Sequence, residues 1–288
     1  MKAIIKDKYI EVTSGNLKVV LSCLGAAIVE IKYNDDLVTM TPINYDDLNR
    51  EDIYYGKTIG PIANRIKDGL VVIDDKKYYL PLNEKDVCNH SGKVGLSNQI
   101  FDVSVEDEKA IFIYETHMFD GDITYKVIYS FKDNQIRVDY EVKTTNKALL
   151  SLTNHTFFCL GESCIDSLSL KMDTDEYIES DKETLLPLSI KPFTQSINLN
   201  GGVYDSCFFL KSEEVILESP KYQLEIESNY PCVQIYTDNF EDGVLVKNTN
   251  LKTRRAVAIE PEDNLLIKTL INKDEIYLRY ITYTFLKR

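Results

Sequence analysis

Two neighbouring stretches with period-two alternation constrain the fold of this chain more than any other feature. Between residues 123 and 131 every second residue is apolar, and mostly Thr, Lys and Ser lie between them. After the turn-forming pair Asp133-Asn134, the alternation resumes over residues 136–142. Because successive side chains of a strand point to opposite faces, this pattern predicts an antiparallel hairpin with one apolar face.

Similar short runs recur along the chain and are separated by polar turns. They cover residues 17–21, 26–33, 71–80, 110–115, 215–226 and 276–286. One short helix is expected over residues 46–53. Many short strands with few short helices predict an all-β fold, a large antiparallel β-sandwich. No linker or shift in composition divides the chain, so a single domain is predicted over residues 1–288.

The composition excludes several classes of protein. Apolar residues make up 44% of the 288 positions, enough to bury a substantial core. The formal net charge of −13 should repel nucleic acid and anionic membranes, so neither is predicted as a partner. The N-terminus reaches charged residues before any signal-peptide core, and no apolar run is long enough to span a membrane.

The six cysteines indicate a reducing environment. They are dispersed along the chain, without C-x-x-C pairs or the grouped ligands of a zinc site. Dispersed cysteines are typical of reduced, mostly buried thiols, so a cytoplasmic protein without a metal site is predicted.

Two polar segments in the first third of the chain interrupt the strand pattern. Residues 56–66 (GKTIGPIANRI) place Asn64 and Arg65 among apolar neighbours, where a guanidinium can bind hydroxyls, a carboxylate or a structural counter-ion. Residues 89–95 (NHSGKVG) place His90 on a glycine-rich loop with an adaptable backbone. Neither segment is a phosphate-binding loop, because the glycine spacing does not fit and no Lys-Ser/Thr pair follows.

Two further segments carry titratable groups within apolar runs. Residues 152–158 (LTNHTFF) contain His155 in a strand-like run, either as a hydrogen-bonded core residue or as a group that exchanges protons near neutral pH. Residues 256–263 (AVAIEPED) contain Glu260 at the end of an apolar run, where burial would raise its pKa and suit it for proton transfer. The alternative for Glu260 is an acidic turn at the end of a strand.

The second half of the chain adds two candidates for the same site. Residues 201–208 place Asp205 between a glycine turn and a strand, and residues 231–240 place Tyr236 on a strand with polar and aromatic neighbours. Each also has a purely structural interpretation, as a turn residue or a core residue. The third histidine, His117, is interpreted as a surface residue in a turn before a strand.

In this order, the segments resemble the motifs of the aldose 1-epimerase (galactose mutarotase) family. The matching elements are residues 60–66 with G-R-x-x-N-R-I, residues 90–92 with H-G-G, residues 153–158 with T-N-H-S-Y-F, residues 205–208 with D-H-x-F, residues 234–240 with Q-x-Y-T-x-N-F, and Glu260 with the family's catalytic glutamate. The resemblance implies a galactose mutarotase-like supersandwich with a sugar cleft. It also implies that neither a metal nor an organic cofactor is needed.

The resemblance further implies a reaction, the interconversion of α and β anomers of a free aldohexose such as galactose or glucose. Glu260 would be the base and His155 the acid. Removing the proton of the C1 hydroxyl while protonating the ring oxygen opens the ring, which requires two such groups. The residues expected to bind the sugar are Arg65, His90, Asp205, Asn64 and Tyr236.

The chain departs from the family motifs close to the expected cleft. Pro61, Ser91 and Ser206 replace an arginine, a glycine and a histidine of the motifs. Glu262 stands where glutamine is frequent, and Phe101 stands where tryptophan is common. These changes spare the proton-transfer pair but affect the shell expected to hold the sugar, so the preferred sugar is not predicted.

Two other functions fit the same motifs. A hexose-6-phosphate 1-epimerase would need a cationic pocket, and the motif loops offer no obvious basic partner for Arg65. A non-catalytic sugar-binding or regulatory protein would explain the altered shell, although it has no need for both an acid and a base. A glycosidase is disfavoured, because it would use a pair of carboxylates.

Overall fold

Antiparallel strands make up most of the structure, a computed structural model that describes residues 1–267 and 269–288. In the first half of the chain, the strands are β1 (Lys2–Lys6), β2 (Tyr9–Ser14), β3 (Leu17–Ser22), β4 (Ala27–Tyr33), β5 (Asp36–Leu37), β6 (Thr58–Ile59), β7 (Arg65–Lys67), β8 (Leu70–Ile73), β9 (Lys76–Tyr79), β10 (Val87–Asn89), β11 (Asp102–Glu106), β12 (Lys109–Met118), β13 (Gly121–Lys132) and β14 (Gln135–Thr144). In the second half they are β15 (Ala148–Leu150), β16 (Thr153–Asn154), β17 (Phe157–Phe158), β18 (Ser169–Met172), β19 (Glu176–Ser180), β20 (Pro187–Pro192), β21 (Asp205–Phe209), β22 (Glu214–Glu218), β23 (Tyr222–Ser228), β24 (Cys232–Tyr236), β25 (Val257–Glu262), β26 (Thr269–Ile271) and β27 (Ile276–Lys287).

The largest sheet has eight strands in the order β11-β12-β13-β14-β27-β23-β22-β18. Its centre contains the predicted hairpin, in which β13 and β14 pair from Ile123↔Thr144 to Lys132↔Gln135. The apolar face of the hairpin is buried, with Tyr125 and Val138 fully inaccessible to solvent. The alternation in the sequence therefore predicted both the pairing and the buried face.

A second sheet has six strands in the order β17-β25-β24-β21-β19-β20. Its central strands β24 and β25 pair with Gln234 opposite Glu260 and Cys232 opposite Glu262. Every residue of β25 is buried, including both glutamates. The two central strands therefore have one apolar face and a second face that is polar but shielded from solvent.

The two sheets pack against each other through one apolar cluster. It joins Val127 and Ile281 of the eight-stranded sheet to Val233 and Ile259 of the six-stranded sheet. The five-stranded sheet β1-β2-β3-β4-β5 contributes to the same cluster, for example through Ile10. The prediction of a large antiparallel β-sandwich is confirmed.

Helices are few and short, as predicted. Within the described residues they are 3-10 helices at Tyr45–Asn49, Gly92–Val94, Leu96–Asn98 and Ile165–Ser167. The first replaces the helix expected over residues 46–53 and ends earlier, at Asn49. Its start is fixed by Asn44, whose side chain accepts a hydrogen bond from the Asp46 amide at 3.0 Å. None of the helices in the described part of the chain is long and apolar enough to cross a membrane.

The cysteines are reduced thiols and are mostly buried, as predicted. Five of them are buried and Cys164 is partly exposed. His117 also lies on the surface, but it belongs to β12 rather than to a turn. Its Nδ1 lies 2.8 Å from the Asp122 carboxylate across the β12–β13 pair.

Candidate active site

The polar face of the six-stranded sheet forms the floor of a cavity of about 210 Å³. The seven residues singled out in the sequence all line it: Asn64, Arg65, His90, His155, Asp205, Tyr236 and Glu260. They come from positions up to about two hundred residues apart in the chain. The fold therefore brings together the segments that resemble the family motifs.

The floor of the cavity is built from cross-strand pairs. Gln234 lies opposite Glu260, and Asp205 lies opposite Tyr236. Directly opposed residues of an antiparallel pair point to the same face, so all four side chains reach the cavity. Glu260 lies inside β25 rather than in an acidic turn, and its side chain is only 3% exposed.

One wall is the two-stranded ribbon of β7 and β10, in which Arg65 lies opposite Asn89. The residues adjoining this pair, Asn64 and His90, both have left-handed backbones, with φ of 63° and 53°. Such conformations are rare for residues other than glycine and concentrate at functional sites. Here they allow the backbone amide of Asn64 to donate a hydrogen bond to His90 Nδ1 at 3.2 Å.

This hydrogen bond determines the state of the His90 ring. Because Nδ1 accepts a hydrogen bond, the ring hydrogen of a neutral imidazole must lie on Nε2. Burial, with the nearby His155 and Arg65, lowers the pKa of His90 well below its usual value. His90 is therefore a neutral group whose Nε2–H is available as a hydrogen-bond donor.

His155 lies in a break between two short strands, not inside a strand as its sequence context predicted. The chain leaves β16, which pairs with β6, and enters β17, which pairs with β25. At the crossing, the His155 amide donates to the Lys57 carbonyl at 3.0 Å and its carbonyl accepts from the Gly56 amide at 2.9 Å. Both backbone groups are satisfied, so the break holds the imidazole in place.

His155 and Glu260 form a buried pair with Nε2 and Oε1 3.6 Å apart. Burial lowers the pKa of His155 to about 4 and raises the pKa of Glu260 well above its usual value. The neighbouring Glu262 and Asp205 raise the pKa of Glu260 further, while Arg65 opposes them. Desolvation is therefore the largest influence on both groups, and it favours a pair that holds one proton.

Aromatic rings pack against the two histidines. The Tyr54 ring lies 4.7 Å from the His90 ring and 5.8 Å from the His155 ring. The Phe157 ring also packs against His155, with 4.8 Å between the ring centroids. Tyr54 was missed in the sequence, because it lies in an irregular segment without periodicity.

Arg65 connects two carboxylates at the cavity wall. Its Nε donates to Glu84 Oε2 at 2.8 Å, and its NH1 lies 3.8 Å from Asp205 Oδ2. Asp205 also accepts a hydrogen bond from Gln234 Nε2 at 2.6 Å. Burial nevertheless raises the pKa of Asp205. The ion pair considered for Arg65 in the sequence therefore exists, and it lies within the cavity.

Another part of the cavity lining depends on a buried arginine that sequence reasoning missed. Arg255 is 1% exposed, and its guanidinium donates to Asp238 at 2.7 Å and to Asp242 at 2.9 Å. It also donates to the Tyr55 hydroxyl at 3.0 Å. Both aspartates line the cavity together with Phe240, so Arg255 fixes this part of the lining from behind.

The positions that differ from the family motifs lie behind the cavity surface. Pro61, Ser91, Ser206 and Glu262 are not among the described residues that line it. Ser91 has a structural role, because its Oγ donates to the Ile62 carbonyl and accepts from the Ile62 amide, both at 3.0 Å. The departures therefore alter the support of the cavity more than its surface.

Comparison with known proteins gives a consistent family. The profile described as aldose 1-epimerase matches residues 8–284. Galactose mutarotase of Rattus norvegicus is 26% identical over 67% of this chain and 64% of its own length. The bifunctional protein GAL10 of Pachysolen tannophilus is 26% identical over 94% of this chain, which corresponds to 46% of its own length. The chain thus spans less than two thirds of these curated relatives.

Solved structures show the same fold. The GalM/aldose epimerase homologue from C. elegans superposes with a TM-score of 0.87 at 23% identity, covering 97% of this chain and 98% of that chain. The galactose 1-epimerase from Lactobacillus acidophilus NCFM superposes with a TM-score of 0.84 at 20% identity, covering 100% of this chain and 98% of that chain. At these identities the likeness concerns the fold.

Proposed function

Because the chain belongs to the aldose 1-epimerase family, we propose that its cavity interconverts the α and β anomers of a free aldohexose. The observation that carries the proposal is the buried pair of His155 and Glu260, with 3.6 Å between Nε2 and Oε1. The pair can accept a proton from one sugar oxygen and deliver a proton to another. Galactose and glucose are the first sugars to test, since the curated relatives include galactose mutarotases.

The reaction begins with ring opening. Glu260 takes the proton of the C1 hydroxyl, and the electrons of that O–H bond form the C1 carbonyl. The bond between C1 and the ring oxygen breaks as His155 donates its proton to that oxygen. The products are the open-chain aldehyde, a protonated Glu260 and a neutral His155, so the total number of protons is unchanged.

Ring closure reverses these steps on the other face of the carbonyl. Rotation about the C1–C2 bond presents the opposite face of C1 to the C5 hydroxyl. His155 takes the proton of this hydroxyl as its oxygen bonds to C1, and Glu260 returns a proton to the carbonyl oxygen. Both groups then regain their starting states, and the sugar leaves as the other anomer.

The pKa shifts of His155 and Glu260 fit a pair that carries one proton. Neutral imidazole with a carboxylic acid and imidazolium with a carboxylate are two arrangements of that single proton. Burial favours the neutral arrangement, as the shifts in the pKa of His155 and of Glu260 indicate. A bound sugar places hydroxyls beside both groups, and the arrangement with the proton on His155 is the one that reacts.

The remaining lining residues suit a neutral polyol. His90 offers its Nε2–H, Arg65 offers guanidinium donors, and Asp205 offers carboxylate acceptors to sugar hydroxyls. Asn64 and Tyr236 line the same space and complete the proposed binding set. Donors and acceptors of these kinds are sufficient to bind a sugar by hydrogen bonds.

The charge of the cavity favours an uncharged sugar over a sugar phosphate. Among the described lining residues, Arg65 is the one lysine or arginine, and it is already shared by two carboxylates. The acidic lining residues are Asp52, Glu84, Asp205, Asp238, Asp242 and Glu260. A phosphate in this acidic cavity would find no cation that is free of a carboxylate partner among the described lining residues. A hexose-6-phosphate epimerase is therefore the weaker candidate.

The decisive experiment follows anomer exchange of fresh α-D-galactose and α-D-glucose by polarimetry, with glucose 6-phosphate in parallel. We expect the protein to accelerate the exchange of at least one neutral sugar. Acceleration of glucose 6-phosphate alone would select the phosphate-specific enzyme. Sugar binding with exchange at the spontaneous rate, across a broad panel of aldoses, would contradict an epimerase and select a non-catalytic sugar-binding protein.

A further inference from the structure

The cavity contains a carboxylate that the proposed proton transfers do not use. Glu84 lies at the start of the turn that leads into β10, and its side chain lines the cavity. Unlike Glu260, which is 3% exposed, the Glu84 side chain is 40% exposed. An accessible carboxylate at the mouth of a sugar cavity is able to contact whatever enters it.

Glu84 is held by both strands of the ribbon that forms the cavity wall. Its Oε2 accepts from Arg65 Nε at 2.8 Å, and its Oε1 accepts from Asn89 Nδ2 at 2.7 Å. Arg65 and Asn89 are direct cross-strand partners of β7 and β10. The carboxylate therefore spans the ribbon with both oxygens fixed, which lowers the entropy that it would lose on binding a ligand.

Two contacts leave part of the carboxylate unoccupied. An ionised carboxylate has about four acceptor positions on its two oxygens, and the protein contacts use one position on each. The partial exposure of the side chain shows that the remaining positions are accessible. Sugar hydroxyls are donors of the kind that such positions accept.

The place of Glu84 relative to the reacting pair limits its role. It contacts Nε of Arg65, whereas Asp205 lies near NH1, so the two carboxylates flank the guanidinium. Asp205 belongs to the cavity floor beside Gln234, which in turn lies opposite Glu260. Arg65 thus lies between Glu84 and Asp205, the carboxylate that belongs to the cavity floor.

We propose that Glu84 is a specificity-determining residue, whose carboxylate accepts hydrogen bonds from sugar hydroxyls remote from the anomeric centre. The inference rests on the proposed function, because it concerns the same cavity. The negative charge of Glu84 also repels a sugar that carries a phosphate or carboxylate at that end. The substrate class is therefore an aldose with free hydroxyls, and no anionic substituent, on the part of the ring facing the β7–β10 ribbon.

The test compares Glu84→Gln with wild-type protein in saturation kinetics of anomer exchange. The glutamine keeps the size of the side chain but removes the charge and replaces one acceptor oxygen by a donor. Losing a hydrogen bond to a charged group is expected to raise KM for the preferred neutral sugar about tenfold or more. Since Glu84 does not touch the reacting atoms, kcat should stay within about threefold.

A panel of deoxy sugars separates direct contact from mere alignment of Arg65. We expect at least one deoxyhexose, lacking the contacted hydroxyl, to have the same KM with both proteins within about twofold. If Glu84→Gln raises KM for the parent sugar and for every deoxy sugar by the same factor, Glu84 only aligns Arg65. That result would overturn the proposal. An unchanged KM for all sugars would overturn it as well.

A matched control and a binding arm keep the test independent of catalysis. Glu213→Gln removes an exposed carboxylate outside the cavity and should leave KM and kcat unchanged. If wild-type protein accelerates no exchange, the proposed function fails, and the same panel is then compared by NMR titration with sugar. A weaker binding of Glu84→Gln, specific to sugars with one hydroxyl, would still support the role of Glu84. Equal binding by both proteins, or no binding of any sugar, would overturn it.

Discussion

The eight-stranded and six-stranded sheets use the same alternation of side chains for different purposes. In β13 the polar face carries Lys126 and Ser130, which reach the solvent boundary, while Tyr125 and Val127 are fully buried. In β25 the side chains also alternate, but both faces are buried. The polar face of the six-stranded sheet is covered by ribbons and loops and becomes the floor of a cavity.

The apolar interface between the sheets supplies stability, whereas the buried polar face of the six-stranded sheet carries the titratable groups. The apolar contacts between the sheets lower the free energy of the folded state without requiring any particular partner geometry. The buried polar face instead requires that each charge find a partner, because an unpaired buried charge is costly. Four predictions test this division, in order of expected effect on the free energy of unfolding.

The largest effect is expected for Arg255→Leu in the wall of the cavity. The change would leave Asp238 and Asp242 without the guanidinium that contacts both, at 2.7 and 2.9 Å. Breaking a buried ion pair from one side costs about 3–5 kcal/mol of unfolding free energy. Denaturant unfolding measures the loss. Arg137→Leu is the control, because Arg137 forms a half-exposed pair with Asp139 and should cost about 1 kcal/mol or less.

A comparable loss by different physics is expected for Ile281→Ala in the eight-stranded sheet. Ile281 is fully buried between the sheets, so the change leaves a cavity and costs about 2–5 kcal/mol in denaturant unfolding. Activity per folded molecule should be unchanged, because the residue does not line the site. Ile276→Ala on the same strand is 48% exposed before the change and should cost about 0.5 kcal/mol or less. A loss of kcat in Ile281→Ala would break the proposed division.

The acid side of the stability profile should depend on His155. Its pKa is lowered to about 4 in the folded protein, from a usual value near 6.5. The unfolded chain therefore binds the proton more readily, and folding stability is lost as the pH falls from about 6.5 towards 4. His155→Asn should show a weaker loss over this range in denaturant unfolding, whereas the exposed His117→Asn should follow the wild-type profile.

The change in stability above about pH 4.5 should depend on Glu260, whose pKa is raised by burial. Its pKa is raised in the folded protein, so stability is greatest below the unfolded pKa near 4.5 and declines as the pH rises towards the folded pKa. Glu260→Gln should remove this decline and be at least as stable as wild type at neutral pH. A variant less stable than wild type at pH 7, but not at pH 4, would show that the carboxylate is stabilised when charged.

The same shifts set the pH range of catalysis. Activity requires that the His155–Glu260 pair hold one proton, so the rate should fall below about pH 4, where a second proton binds. It should also fall where the pH rises past the raised pKa of Glu260 and the proton of the pair is lost. The rate should therefore be nearly constant between these limits. A rate that followed a single group with a pKa near 6.5 would contradict the shared proton.

The sequence predicted the eight-stranded sheet better than the site. The hairpin of β13 and β14 was predicted with its buried face, because polar residues on its more exposed face alternate with apolar residues on the buried face. The motif segments identified the floor residues, but His155 was placed in a strand and Glu260 at a strand end. Short strands that change partners, such as β16 and β17, lack the length over which periodicity can be recognised.

The walls of the cavity were the least predictable part. Tyr54 lies in an irregular segment and Glu84 in an isolated bridge, where no periodic pattern indicates which way a side chain points. The position of Glu84 follows from the pairing of β7 with β10, which joins residues about twenty positions apart. Arg255 precedes an apolar strand, and nothing in the sequence around it indicates burial. It is buried because Asp238 and Asp242 neutralise its charge.

The central claim is that His155 and Glu260 together carry the proton transfers of anomer exchange. Exchange NMR at neutral pH, on galactose and glucose at equilibrium, measures the interconversion rate directly in one sample. We predict acceleration by wild-type protein, and a fall by roughly two orders of magnitude or more in His155→Asn and in Glu260→Gln. His117→Asn should match wild type. Variants of the pair that retain the wild-type rate, while remaining folded, would contradict the account.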